Sequence, residues 1–161
     1  MSFKYSLIPV IMCIGSTSLI GDSLGPLVGD ILREHYNINA YVYGSLKRPI
    51  NGNNYFSYLN FINRIHPNTL IIAVDACVGL DSDIGKIKFS RNGVRAGAAI
   101  KKSLGNVGDI GILGIVAKKG ENNAQALATA PIDLIRKTAI SVADCVFKLT
   151  KAWDILLKSV L

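Results

Sequence analysis

Asp22 and Asp75 are the residues from which chemistry is expected. Asp22 lies in Gly15-Ser-Thr-Ser-Leu-Ile-Gly-Asp22-Ser-Leu-Gly-Pro26, a Gly- and Ser-rich turn that follows an apolar run. Asp75 follows five apolar residues in Leu70-Ile-Ile-Ala-Val-Asp75, which puts it at the tip of a buried strand. An ionised carboxylate in such a place is costly unless it is hydrogen-bonded, paired or bound to a cation. Taken singly, Asp22 suits a cap for the N–H groups of the helix that follows, and Asp75 suits a bond to loop amides. Taken together on one rim, two carboxylates can share a proton, activate water or hold a cation.

Few other residues compete. Cys77 sits two residues beyond Asp75 and is a candidate nucleophile or binding residue, but a thiol needs a base, and neither His35 nor His66 has a motif neighbour. His35 falls on the polar side of a helix and His66 beside Pro67 in a turn, so both read as surface residues. Cys13 and Cys145 lie in apolar runs and read as small core residues. Three Cys give no disulfide framework, and with two His they give no zinc spacing, which points to a reducing, intracellular setting. Gly15, Gly21 and Gly25 fit neither the dinucleotide spacing nor the Gly-Lys-Ser/Thr ending of a phosphate loop.

The elements that must position these groups are legible in the periodicity. Short apolar runs at Pro9–Ile14, Ala40–Tyr43, Leu70–Val74 and Ile110–Val116 predict buried parallel strands, and the alternating Ile84–Ser90 predicts a half-exposed edge strand. Leu24, Leu27, Val28, Ile31 and Leu32 mark one helix, and Tyr55, Tyr58, Leu59 and Ile62 a second. A third begins near Pro131, with Ile135, Ala139, Val142, Val146, Leu149, Trp153, Leu156 and Val160 in a heptad-like stripe. That stripe suits a helix lying along its own sheet, or one that overhangs into a second copy. Strands alternating with helices predict an α/β protein with a three-layer α/β/α sandwich, a mostly parallel sheet and a mixed edge. In such sheets sites gather at the carboxyl ends of the strands.

With 161 residues, half of them apolar and 18% charged, a single domain over 1–161 is expected and a disordered chain is excluded. The net charge of +7 is concentrated after residue 80. Without interleaved aromatics, this basic half fits Lys-rich helix faces better than a nucleic-acid site. The apolar run after Lys4 is too short for a membrane span and has no small-x-small cleavage site, so a cytoplasmic protein is expected.

The segments Gly21-Asp22-Ser-Leu-Gly-Pro-Leu-Val28, Ile72-Ala-Val-Asp75-Ala-Cys77 and Val107-Gly-Asp-Ile-Gly-Ile-Leu-Gly-Ile-Val116 resemble the YyaC family. That family is related to the germination protease of spore-forming bacteria and, more remotely, to hydrogenase-maturation endopeptidases. The resemblance implies a phosphorylase/hydrolase-like sandwich and a sporulation-associated peptidase of the forespore or mother cell, acting on a peptide or small spore protein. It makes Asp22 and Asp75 an acid/base dyad, with Ser23 or the amides of the Gly15–Gly21 turn as donors to an oxyanion. In the hydrogenase-maturation relatives the same two positions are metal ligands assisted by a His. Here the later segment offers Gly108-Asp109-Ile-Gly111 and no His. A divalent cation on Asp22 and Asp75, completed by water or by a third carboxylate such as Asp109, is one alternative. A catalytically silent sporulation accessory protein that binds a peptide or partner in the same cleft is the other.

Overall fold

The computed structural model describes residues 8–95 and 105–160. The apolar runs form the middle of a sheet, with β1 (Val10–Cys13), β3 (Ile71–Gly79) and β7 (Ile110–Lys118) side by side. β2 (Tyr41–Tyr43) and β4 (Ile87–Ser90) take the edges, in the order β2-β1-β3-β7-β4. Every pairing is parallel except that of β4 with β7, which is antiparallel. This is the predicted mixed edge on a mostly parallel sheet.

Successive side chains leave a strand on opposite faces, and both faces here are apolar. Ile11, Cys13, Ile72, Val74, Ile112 and Val116 face α1 (Leu24–His35) and α4 (Ile132–Val160). Val10, Met12, Ile71 and Ala73 pack with Tyr55 and Ile62 of α2 (Tyr55–Ile65) on the other face. Helices on both sides of the sheet complete the α/β/α layering. Burying each such Ile, Leu or Val contributes about 1.5–3 kcal/mol, which no surface ion pair here approaches.

Three small elements carry no signal in the sequence. β5 (Val94–Arg95) and β6 (Asn106–Val107) pair antiparallel and add Val94 and Val107 to the α2 side of the core. α3 (Asn123–Ala128) drives Leu127 into the opposite side, and its first turn is held by the Gln125 N–H donating to Asn122 Oδ1 at 3.0 Å. Two-residue strands and a six-residue helix are too short to display a period.

Helix α4 bears out only part of its stripe. Ile135, Ala139, Val142 and Val146 are fully buried, Leu149 and Trp153 are half-buried, and Leu156 and Val160 are 55% and 52% exposed. Twenty-nine helical residues span about 43 Å, against about 30 Å for the nine-residue strands. A straight helix also drifts from a seven-residue repeat, so Leu157 takes the inward place that Leu156 held in the pattern. Among the described residues no helix is long and apolar enough to cross a membrane.

His66 is a correction. It is a half-buried residue whose Nε2 lies 2.7 Å from the Tyr43 hydroxyl and whose ring stacks on Tyr41 at 4.2 Å, tying the end of α2 to the edge strand. His35 is exposed, as expected.

The open edge of β2 is occupied from within. Arg33 Nη2 donates to the carbonyls of Val42 and Gly44 at 3.0 and 2.9 Å, taking acceptors that a foreign strand would need. Arg33→Ala is expected to cost about 1–2 kcal/mol. It should also introduce concentration-dependent self-association, read by urea unfolding and light scattering.

Candidate active site

Asp22 is delivered by a close junction of strand and helix. After β1 the chain turns through Gly15, runs to a single 3-10 turn at Gly21–Ser23, and enters α1 at Leu24. The turn is closed by the Ser16 N–H donating to the Asp22 carbonyl at 3.0 Å. Gly15, at φ 157°, passes so near that a Cβ would collide with that carbonyl and lie 2.6 Å from Pro26 Cδ. A Cβ on Gly25 would collide with the carbonyl of Ile14, so α1 can seat its first turn on the end of β1 only with glycine there. Gly21 packs on Leu127 of α3. These three glycines position Asp22 by permitting close packing.

Asp75 is not at a strand tip. β3 runs four residues further, to Gly79, because β7 continues alongside it, with one irregularity between Cys77 and Val78. On its other side β1 ends at Cys13, paired with Val74. Asp75 is therefore the first residue of β3 beyond the end of β1, beside the turn that carries Asp22. Its side chain alternates away from Val74 and Ala76, onto the α2 face. Asp75 is 7% exposed, and its Oδ1 accepts the Ala76 N–H at 2.8 Å.

The Asp75 carboxyl senses the charge of Asp22. Burial pushes the Asp75 carboxyl well above the ordinary carboxylate range, the Asp22 charge pushes it further, and the Ala76 N–H opposes both. Asp22 is also raised by burial, against a smaller pull from the Ser16 N–H. Both carboxyls are thus pushed towards the neutral form, and Asp75 alone is pushed by its partner's charge as well as by burial. A carboxyl that favours its proton, near a second that can ionise, is an arrangement able to donate one proton and accept another.

The remaining candidates lie close to the two acids but are otherwise engaged. Ser23 Oγ donates to the Ile20 carbonyl at 2.6 Å, so it could serve an oxyanion only by giving up that bond. In the same turn the N–H groups of Gly15, Ser16, Ser18 and Ser23 all donate within the protein. Cys77 shares the face of Asp75, but burial and the Asp75 carboxyl push its thiol up to about 11, against a pull from Lys88, which leaves little thiolate at neutral pH. Cys13 is buried, as expected, and Cys145 is half-buried.

Asp109 overturns the idea of a third carboxylate. Its Oδ2 accepts the Ile71 N–H at 2.9 Å, which fixes it at the amino end of β3, four residues and about 13 Å of strand before Asp75. Among the described residues no group of three His, Cys, Asp or Glu side chains could hold a metal ion.

A family model described as a protein of unknown function (DUF1256) matches residues 4–145, a stretch that takes in both acids. The chain belongs to the DUF1256 family. It is 36% identical over 135 residues to the uncharacterized protein YyaC of Bacillus subtilis (strain 168). That match covers 84% of this chain and 66% of YyaC, so this DUF1256 chain spans about two thirds of the length of that relative.

Proposed function

We propose that this protein is a sporulation-associated peptidase that hydrolyses peptide bonds with the Asp22/Asp75 pair. The observation that carries the reading is the placement of a buried carboxyl, Asp75, just beyond the end of β1 and beside the turn that brings in Asp22, where burial and the Asp22 charge both favour its protonated form. The resemblance to the germination protease supplies the substrate class. Asp22, ionised, takes a proton from water as the water oxygen attacks the scissile carbonyl carbon. Asp75 donates its proton to the carbonyl oxygen. Collapse of the tetrahedral intermediate returns that proton to Asp75, while Asp22 passes its proton to the leaving amine.

The test is incubation of the protein with a peptide library and with small spore proteins, read by mass spectrometry. Cleavage at a defined bond, lost in Asp22→Asn and Asp75→Asn, is the expected result. Saturable binding without products would identify an accessory protein that uses the cleft only to bind, and the committed donors of the Gly15–Ser23 turn favour that as the second reading.

The pH dependence follows from the two directions. Asp22 must be ionised, so the rate rises as pH passes its raised value. Asp75 must keep its proton, so the rate falls as pH passes its still higher one. A bell-shaped profile of kcat/KM is expected, with both limbs above the ordinary carboxylate range. A plateau extending unchanged from pH 4 to 9 would rule out the dyad.

A further inference from the structure

The register of the sheet carries one group that the dyad does not use. Asp75 pairs with Leu113 of β7, and Leu113 pairs in turn with Lys88 of β4. Residues directly opposite across neighbouring strands present their side chains to the same face. Asp75, Leu113 and Lys88 therefore form one row on the α2 side. Strands lie about 4.8 Å apart, so the Cα atoms of Asp75 and Lys88 are about 10 Å apart. Ile87 packs on the opposite face, as alternation requires.

The surface between the two charged groups is apolar and partly open. Leu113 and Cys77 are half-buried, and Ile115 is 7% exposed. Towards the amino end this face is closed by the β5–β6 ribbon, where Val94 and the Gly93 carbonyl press on Gly111. Lys88 is exposed and makes no ion pair among the described residues, whereas its neighbour Lys86 is held by Asp83 at 2.8 Å. The Lys88 charge also reaches Cys77, on the same face and two residues beyond Asp75.

We infer that Lys88 is a specificity-determining residue that receives a carboxylate of the substrate, two to three residues along an extended chain from the bond presented to the dyad. An extended chain advances about 3.3 Å per residue, so two to three residues cover the row from Asp75 to Lys88. A cation on the edge strand, beside an apolar stretch of sheet, favours a ligand with an anionic group at that spacing and disfavours a cationic one. The carboxylate could come from an Asp or Glu side chain or from the carboxyl terminus of a short peptide. The inference rests on the peptidase reading for its substrate, but not for its binding.

The experiment compares the wild type with Lys88→Gln and Lys88→Glu on four labelled peptides of one sequence. The peptides carry Glu, Gln or Lys at the position two to three residues from the cleaved bond, or end there in a free carboxylate. Binding by fluorescence anisotropy and cleavage kinetics are both read. Wild type is expected to prefer the Glu or the free-carboxylate peptide over the Lys peptide by about tenfold or more, in Kd and in KM. Which of the two it prefers identifies the source of the carboxylate. Lys88→Gln should erase the preference and Lys88→Glu invert it towards the Lys peptide, with the effect shrinking as salt rises. An unchanged preference in both variants overturns the inference, even if every peptide is cleaved. Absence of cleavage by wild type overturns the peptidase reading alone, because the anisotropy ranking still decides the role of Lys88.

Discussion

Asp75→Asn is expected to lose cleavage by roughly 10²–10⁴-fold and at the same time to become the more stable protein at alkaline pH. Asn matches the shape of a protonated Asp and can still accept the Ala76 N–H, so the packing around it survives. Its amide cannot release a proton to the carbonyl oxygen, and the chemistry stops. Stability moves the other way. The folded carboxyl has its pKa raised, so in wild type its contribution is fully present below the unfolded value near 3.8 and is lost as pH rises towards the folded value. Within that window the wild type should lose about 1.4 kcal/mol per pH unit through this group. Asp75→Asn removes the slope, so its unfolding midpoint should exceed that of wild type at pH 8 and approach it at pH 4. Thermal melts across pH, run beside the peptide assay, measure both. A variant that is inactive but no better at pH 8 than wild type would show that Asp75 is not held protonated.

The second large effect is expected far from any polar group. Gly25→Ala should cost about 2–4 kcal/mol and lower activity with it, although alanine is the better helix former by about 1 kcal/mol. The new methyl would collide with the Ile14 carbonyl, which is backbone and cannot swing aside as a side chain can. Helix α1 must then lift from β1. Because Asp22 lies in the turn joining them, the carboxyl moves away from Asp75. Gly120→Ala is the control, since a Cβ there meets nothing within 4 Å, and its change should stay within about 0.5 kcal/mol. Urea unfolding of the two variants gives the comparison. Equal stabilities would mean that the contact of α1 with β1 is looser than its geometry.

The linear chain determined the layering. The apolar runs Pro9–Ile14, Leu70–Val74 and Ile110–Val116 suit strands buried on both faces, and the amphipathic spacing of Leu24, Val28 and Leu32 fits a helix that covers them. It also singled out Asp22 and Asp75, because a carboxylate beside a buried run is costly wherever the chain goes.

What it could not determine is anything that depends on where a neighbouring strand stops. Asp75 looks terminal along the chain because its apolar run ends, yet β3 continues on hydrogen bonds from β7, and it is the end of β1 at Cys13 that opens its surroundings. Asp109 looked like a third acid of the same rim until its bond to the Ile71 N–H fixed it at the other end of the strand. His66 looked superficial until Tyr41 and Tyr43 came to it from an edge strand more than twenty residues away. Lys88 carried no signal, since its place in a row with Asp75 exists only through two successive registers. Local periodicity is set by each segment's own residues, whereas register and strand ends are set between segments, and the proposed chemistry of this site depends on the latter.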